Sequence, residues 1–271
     1  MDNEAGAQPL SEKFETSPLA RRIAEACASG EKLALSAAEC PQDLDQAEAV
    51  LFEVAAKIGR PAKAWKLGAS TVGARRAQGF DHAWSAPLFE GEVLESPARL
   101  AAPASGLLGL ECELVFRLGA DIPKNGALSP SQVRDRVAGV RAGIEVPATR
   151  YSALGVYGAP ALVADRGAAG YLVVGDEIQD WRPEGLDIMT ARLLLDGREA
   201  VAGSGREIIG GPFGALCDHI ERLRARGVEQ RAGVLISIGS LTAFHLAPAG
   251  VVAVAEFSNL GSCMLELSKT G

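Results

Sequence analysis

Several features of common protein classes are missing from this sequence of 271 residues. It has no long apolar run, because stretches such as 251–257 are far too short to cross a bilayer, so no membrane span is expected. It has no basic excess, with 27 Lys and Arg against 34 Asp and Glu, so nucleic acid is not an expected partner. Its first residues lack a basic segment followed by an apolar one, so no secretory signal is predicted.

Paired cysteines and aromatic residues are also scarce. The five cysteines are spread along the chain without a CxxC pair, which argues against a disulfide framework and against structural zinc. Only 8 Phe, 3 Tyr and 3 Trp accompany 31 glycines, a balance that predicts tight turns between strands of small residues. Because 48% of the residues are hydrophobic, the chain has enough apolar surface for a core. We therefore expect a globular protein of the reducing cytoplasm.

The chain begins with a polar segment followed by two helices. Residues 1–16 lack periodicity and are interpreted as a flexible leader, ahead of a single domain over 17–271. Ser17-Pro18 predicts the start of a helix that ends at Gly30, and a second helix is predicted from Asp43 or Asp45 to Ile58. The part 17–63 is thus expected to be helical.

The part 64–271 is richer in predicted strands. Strands are predicted within 107–118, 140–146, 171–174, 186–202, 234–238, 251–257 and 263–267, with helices inserted near 129–137 and 212–226. The segment 70–103 is interpreted as one long irregular loop. Strands and helices do not alternate, and no GxGxxG motif opens a helix, which disfavours a dinucleotide-binding fold. The predicted fold class is α+β.

One predicted strand carries two acids, Glu111 and Glu113, within the apolar run 110–116. Residues i and i+2 of a strand point to the same face, so the two carboxylates are expected side by side. An acidic edge strand is the alternative for this pair alone. A third acid, Glu145, interrupts another apolar strand, and three such glutamates predict an open site for Mg²⁺ or Mn²⁺, which prefer carboxylate oxygens.

The order of the motifs along the chain resembles a known family. The motifs are Lys66-Leu67-Gly68, Gly79-Phe80-Asp81-His82, Leu110-Glu111-Cys112-Glu113, Ile144-Glu145-Val146 with Arg150, Asp165 ahead of Gly170, Gly239-Ser240-Leu241-Thr242, and Glu256-Phe257. This combination is similar to the 2-keto-4-pentenoate hydratases and related 2-oxo acid decarboxylases of the fumarylacetoacetate hydrolase superfamily. The resemblance implies a mixed β-roll like the C-terminal domain of fumarylacetoacetase, with helices before it and inserted in it.

The resemblance also implies a chemistry. Glu111, Glu113 and Glu145 would hold Mg²⁺ or Mn²⁺, and the metal would chelate the C1 carboxylate and the C2 oxygen of a small 2-hydroxy-2,4-dienoate or 2-oxo acid. Metal stabilisation of an enolate combined with acid/base catalysis then allows water addition. A homo-oligomer is expected from the same resemblance.

Further site residues follow from the matched motifs. Lys66, Asp81 and His82 are the catalytic candidates, for substrate pairing and proton transfer. Ser240 and Thr242 are expected to orient substrate oxygens, although a plain polar turn explains them equally well. Asp165 matches an acid near the pocket, although backbone capping is the ordinary role of an acid at such a turn.

Three positions depart from the family pattern. Trp84 replaces an acid that handles water or protons, a second acid is missing at Ala148, and a turn rich in hydroxyls carries Arg166. Trp84 is expected to shield the site from water or to contact an apolar substrate tail. Arg166 is expected to bind a second substrate carboxylate.

These observations predict a metal-dependent lyase that resembles the hydratases. The alternatives are a decarboxylase of 2-oxo-enedioates, and a hydrolase of acylpyruvates with His82 as the general base. A protein of another class, which binds a 2-oxo acid without turnover, also fits the loss of polar residues.

Overall fold

The computed structural model describes residues 18–103 and 105–269. The expected leader, 1–16, and the expected helix cap Ser17 lie outside these residues. The described part contains seven α-helices and thirteen strands. The helices are α1 (Pro18–Ser29), α2 (Leu44–Ile58), α3 (Val72–Gln78), α4 (Pro130–Arg134), α5 (Gly158–Ala164), α6 (Pro183–Leu186) and α7 (Gly211–Ala225).

The strands form two mixed sheets. The strands are β1 (Ala62–Gly68), β2 (Trp84–Phe89), β3 (Val93–Glu95), β4 (Ala98–Ala101), β5 (Leu107–Leu118), β6 (Val137–Val146), β7 (Tyr171–Ile178), β8 (Thr190–Leu195), β9 (Arg198–Ser204), β10 (Leu235–Ser240), β11 (His245–Pro248), β12 (Val252–Phe257) and β13 (Gly261–Ser268). The larger sheet has the order β2-β1-β10-β5-β6-β7-β3, with β11 also paired to β5. The smaller sheet has the order β4-β13-β12-β8-β9.

The main core lies between the two sheets. Leu110, Cys112, Leu114 and Phe116 of β5 are fully buried and belong to the same apolar cluster as Leu265 of β13. These β5 residues alternate with Glu111, Glu113 and Val115. Because side chains alternate across a strand, the core face of β5 leaves its acids on the opposite face of the larger sheet.

Local sequence signals explain the first two helices. The Asp43 side chain caps α2 by accepting a hydrogen bond from the Gln46 backbone N–H. Gly30 and Gly59 follow α1 and α2 with φ of 76° and 66°, a conformation that glycine adopts without strain. The expected pair of N-terminal helices ahead of a strand-rich body is confirmed.

The segment 70–103 is not the irregular loop that the sequence predicts. It contains α3, β2, β3 and β4. All six residues of β2 are buried, so this strand has no alternation of polar and apolar residues by which to recognise it. Pro87 is compatible with β2 because this strand lies at the edge of its sheet.

Asp196 and Gly197 both have positive φ and connect β8 to β9, as the predicted hairpin requires. No helix in the described ranges combines the length and the apolar character that crossing a membrane requires.

Candidate metal and substrate site

Three glutamates meet on the outer face of the larger sheet. Glu111 and Glu113 lie two residues apart on β5, and Glu145 of β6 is the direct cross-strand partner of Glu111. One carboxylate oxygen from each residue lies within 4.8 Å of the others. The pairing of β5 with β6 therefore assembles a cluster of three carboxylates from two segments that are distant in sequence.

Burial makes this cluster electrostatically costly. Glu113 and Glu145 are each 1% exposed. Burial and the nearby charge of Glu145 raise the pKa of Glu111 to about 7, although the Lys66 charge opposes the shift. Burial, together with the charges of Glu145 and Glu111, raises the pKa of Glu113 well above its ordinary value. The carboxylates therefore need a positive counter-charge to remain ionised together.

Hydrogen bonds fix the orientation of Glu113. Its Oε2 accepts from the hydroxyl of Ser237 and, at 3.3 Å, from the backbone N–H of Gly239. Gly239 has a φ of 94° within an irregularity of β10, and a Cβ there would overlap the side chain of Ser70. Only glycine lets the strand bend at this point and turn its N–H toward the carboxylate.

Lys66 supplies one positive charge. Its ammonium forms a buried ion pair with Glu145 and donates to the carbonyl oxygen of Gly167 at 2.9 Å. Burial favours the neutral amine, but the charges of Glu145, Glu111 and Glu113 outweigh it and raise the pKa of Lys66. Lys66 is therefore a protonated ammonium at neutral pH.

A strained turn brings the Gly167 carbonyl to Lys66. Arg166, Gly167 and Ala168 have φ of 52°, 58° and 55°, so three successive residues are left-handed. This conformation is unfavourable for a residue with a Cβ and persists only where the surrounding structure holds it. Because the Gly167 carbonyl accepts from Lys66, the conformation of this turn determines where that acceptor lies in the site.

The donor set fits a divalent cation. When all three carboxylates are ionised, one ammonium leaves two negative charges uncompensated, and a divalent ion would balance them and favour this ionised state. The available ligand atoms are all carboxylate oxygens, the type that Mg²⁺ and Mn²⁺ prefer. Glu111, Glu113 and Glu145 are thus a suitable open site for such an ion.

The cluster lies in a cavity of about 640 Å³. Its lining includes the four charged residues Lys66, Glu111, Glu113 and Glu145, and the polar side chains of Ser70, Thr71, Gln78, Ser240 and Thr242. Apolar side chains, among them Leu154, Leu162 and Phe244, line other parts of it. The cavity thus combines a charged region with apolar walls, as small-molecule sites commonly do.

Ser240 and Thr242 line this cavity, as expected for substrate contacts. Ser240 Oγ donates to the Thr242 carbonyl at 2.8 Å, and Thr242 Oγ1 accepts from the Cys112 backbone N–H at 3.2 Å. Thr242 Oγ1 also lies 3.5 Å from Ser240 Oγ, so its hydroxyl hydrogen can be donated either to that hydroxyl or to a bound molecule.

Trp84 forms part of the cavity wall. Its ring lies between two chain segments, because a Cβ added at Gly68 or at Gly167 would overlap it. Its Nε1 donates to Gln78 Oε1 at 2.9 Å, and Lys66 Nζ lies 5.6 Å from its ring centroid. With 2% exposure, Trp84 is a packed wall and not the flexible cover of an open mouth.

Asp165 and Arg166 do not line the cavity, contrary to the expectation of substrate contacts. Asp165 is fully buried and accepts from the Thr149 hydroxyl and from the backbone N–H and Nε of Arg150. Arg166 is 2% exposed and pairs with Glu92. Both side chains have protein partners, which hold them away from the cavity.

Asp81 and His82 also lie outside the cavity that contains the glutamates. They line a neighbouring surface depression, where His82 Nδ1 lies 2.5 Å from Asp81 Oδ1. The Asp81 side chain is 93% exposed. Position in the motif predicted a catalytic contact, but the loop after α3 directs both side chains to the surface.

Sequence reasoning missed several residues of the site. Ser237 interrupts the apolar run 235–238, a signal that could have identified it. The Gly167 carbonyl, Leu154 and Phe244 had no such signal, because their positions depend on how distant loops fold back to the sheet.

Comparisons with known proteins give structural relatives only. No family model and no curated protein sequence matches this chain. A solved structure of 4-oxalocrotonate decarboxylase from Pseudomonas putida G7, complexed with magnesium and adipate, is similar with a TM-score of 0.80 and 18% identity. The match covers 93% of this chain and 96% of that one.

Two further structures extend the comparison. Fumarylpyruvate hydrolase from Pseudomonas aeruginosa, in complex with Mn²⁺ and pyruvate, matches with a TM-score of 0.61 and 17% identity, over 76% of this chain and 89% of that one. 2-Hydroxyhepta-2,4-diene-1,7-dioate isomerase from Mycobacterium marinum matches with a TM-score of 0.55 and 17% identity, over 78% of this chain and 77% of that one. This chain therefore shares the fold of these three enzymes, as the motif resemblance implies.

Proposed function

We propose that this protein is a divalent-metal-dependent lyase, similar to the hydratases, that acts on a small 2-oxo acid or its 2-hydroxy-2,4-dienoate tautomer. The observation that carries the proposal is the cluster of Glu111, Glu113 and Glu145 beside the buried Lys66 in one cavity. The metal-complexed decarboxylase and hydrolase with the same fold support it.

The three glutamates hold Mg²⁺ or Mn²⁺ in this proposal. The bound cation supplies Lewis-acid stabilisation of negative charge that develops on the substrate oxygens. Its three protein ligands leave room for the C1 carboxylate and C2 oxygen of a 2-oxo acid.

Lys66 transfers the proton. Its ammonium lines the cavity and its protonated form is favoured by the nearby carboxylates, so it can donate a proton to C5 of the dienol, which shifts the double bond to C3–C4. The resulting amine then takes the proton of the C2 hydroxyl, which completes a ketonisation with no net change at Lys66. Conjugation of the new ketone with the remaining double bond prepares that bond for the addition of one water molecule.

The other polar groups bind and orient. Thr242 donates its hydroxyl hydrogen to a substrate oxygen. The Ser240 hydroxyl donates to the Thr242 backbone carbonyl and so holds Thr242 in position. The packed indole of Trp84 keeps bulk water from the face of the cavity beside Lys66.

A decarboxylase of 2-oxo-enedioates is the second candidate. It is supported by the structural match over 93% of this chain and by the chemistry of the lining, because enolate stabilisation plus one proton donor suffices for loss of CO₂. Hydrolysis of acylpyruvates is less well supported. It needs a base that activates water, and neither histidine nor aspartate is among the described residues of the cavity lining.

Thermal unfolding of the metal-stripped protein tests the metal site. We expect Mg²⁺ or Mn²⁺ to raise the melting temperature and pyruvate or oxalate to raise it further, since both bind only the folded state. Glu113→Gln should lose both effects. Glu90→Gln, an exposed glutamate on the surface, is the matched control and should keep both. Absence of any metal effect in the wild type would reject the metal site.

Turnover of 2-hydroxypenta-2,4-dienoate tests the reaction. The Mg²⁺-loaded protein should bleach the dienol absorbance and yield a product heavier by one water molecule. Lys66→Gln should lower the rate at least 100-fold, because general acid–base catalysis contributes about 10² to 10⁴. Lys63→Gln, on the same strand but half-exposed, should retain the rate. Binding without conversion of any dienoate would identify a non-catalytic 2-oxo acid binding protein.

A further inference from the structure

The residues that line the cavity divide into a charged cluster and an uncharged remainder. The four charged lining residues are Glu111, Glu113, Glu145 and Lys66, and they are in mutual contact or close to it. The remaining described residues of the lining are uncharged. Charge in the described lining is thus confined to this one cluster.

Three apolar side chains of the uncharged remainder, Leu154, Leu162 and Phe244, are partly exposed to solvent, and we call them the apolar end. Leu154 is 39% exposed and Phe244 43% exposed, and half-buried Leu162 joins them in the lining. Exposed apolar side chains that converge on a cavity are typical of a surface that a ligand covers.

The ring of Phe244 is held in place. It occupies the space that a Cβ would take at Gly109 of β5, so glycine at that position admits the ring. Phe244 follows Thr242 by two residues, and Thr242 is adjacent to the glutamates through the Cys112 backbone. A molecule that reaches from the glutamates past Thr242 therefore meets the Phe244 ring.

Lys66 is the single cation among the described residues that line the cavity, and the nearby arginines lie outside this lining. Lys66 is paired with Glu145, Arg166 with Glu92, and Arg150 with Asp165. Arg75 donates to the backbone carbonyls of Ala69 and Asp81. A second substrate carboxylate would thus meet no unpaired cation among the described lining residues, and burying an unpaired charge is costly.

We infer that the cavity selects 2-oxo acids, or their dienol tautomers, that have one carboxylate and an uncharged apolar tail lying against Leu154 and Phe244. This inference rests on the proposed function, because the glutamates must hold the carboxylate end. The cavity volume of about 640 Å³ is in the range of about 300–1,000 Å³ that accommodates drug-sized ligands, so it has room for such a tail.

Binding of three 2-oxo acids to the Mg²⁺-loaded protein tests the inference. Pyruvate measures the carboxylate end alone, and 2-oxohexanoate adds three carbons. 2-Oxoadipate has the same carbon number as 2-oxohexanoate but ends in a carboxylate. Each buried methylene raises affinity about fourfold, so 2-oxohexanoate should bind at least about tenfold more tightly than pyruvate. It should also bind at least about tenfold more tightly than 2-oxoadipate.

Variants locate the tail. Phe244→Ala should lower the affinity ratio of 2-oxohexanoate to pyruvate. Leu154→Lys should reverse the preference between 2-oxohexanoate and 2-oxoadipate, because it adds a cation to the apolar end. Ile188→Ala is the control, since Ile188 is 62% exposed but does not line the cavity, and it should leave all the ratios unchanged.

The outcomes separate this inference from the proposed function. If pyruvate binds with metal and Glu113→Gln abolishes that binding, the proposed site stands. Equal or tighter binding of 2-oxoadipate by the wild type would then overturn the inference alone, as would an unchanged ratio in Phe244→Ala. If pyruvate fails to bind the metal-loaded protein, the proposed function and the inference fail together.

Discussion

Two buried acidic groups of the molecule differ in how their charge is balanced. Asp165 has a partner for each carboxylate oxygen, with the Arg150 guanidinium beside it as counter-charge. The glutamates 111, 113 and 145 have only Lys66 among the cations described around them. A carboxylate whose hydrogen bonds and charge are both satisfied within the protein stabilises the fold. A cluster with excess negative charge that lines a cavity can instead bind a ligand of positive charge.

Removal of the Asp165 carboxylate should have the largest effect. Asp165→Ala leaves the mostly buried Arg150 guanidinium without its counter-charge, and we expect a loss of about 3–5 kcal/mol in the free energy of unfolding. Urea unfolding at neutral pH measures it. Asp81→Asn, at a 93% exposed position, is the control and should unfold at the wild-type urea concentration. If Asp165→Ala left the free energy of unfolding nearly unchanged, the Asp165–Arg150 pair would not be a stabilising group.

Removal of one charge from the glutamates should act in the opposite direction. In the metal-free protein, Glu113→Gln relieves repulsion by Glu145 and Glu111, so the free energy of unfolding should rise by about 1 kcal/mol. Urea unfolding in the presence of a chelator checks this sign. In excess Mg²⁺ the order should reverse, because metal at 100 times its Kd stabilises the wild type by about 2.7 kcal/mol. A variant less stable than wild type in both conditions would show that Glu113 is mainly a structural residue.

A third buried group extends the comparison to pH. His219 is 1% exposed, and burial, assisted by the Arg222 charge, lowers its pKa to about 3. Between pH 6.5 and 3 the unfolded chain binds a proton at this position that the folded chain does not, so stability falls as pH falls through this range. The contribution is at most about 1.4 kcal/mol per pH unit.

The stability of His219→Gln should therefore depend less on pH than that of the wild type below pH 6.5. Urea unfolding at pH 7 and pH 5 provides the two slopes. The comparison uses the change with pH, since Gln also alters the 2.9 Å contact between His219 Nδ1 and Ser85 Oγ. Equal slopes for the two proteins would show that His219 does not control this loss of stability.

Sequence periodicity predicted the central strand and its two acids because every second residue of β5 is buried in the core. It could not predict that Glu145 lies opposite Glu111, since register between distant strands depends on the whole sheet. Glu145 was a candidate because it interrupts a second apolar strand, and the resemblance assigned it to the same site.

The same limits explain the misplaced residues. Arg166 follows a short helix and adopts a left-handed conformation, so its side chain leaves the cavity for Glu92. No local propensity predicts this direction, because a residue with a Cβ rarely adopts positive φ without tertiary support. Asp81 and His82 belong to a short loop whose path depends on the packing of α3 and β2.

The position of Trp84 has an optical consequence. Its indole is fixed between two glycine backbones with the Lys66 ammonium 5.6 Å from its ring centroid. Indole emission responds to nearby charge, so a cation that joins the glutamates should change the fluorescence of this tryptophan. Subtracting the signal of Trp84→Phe isolates its emission from that of Trp65 and Trp181. Trp84 would thus report the binding of a cation at the glutamates without an added dye.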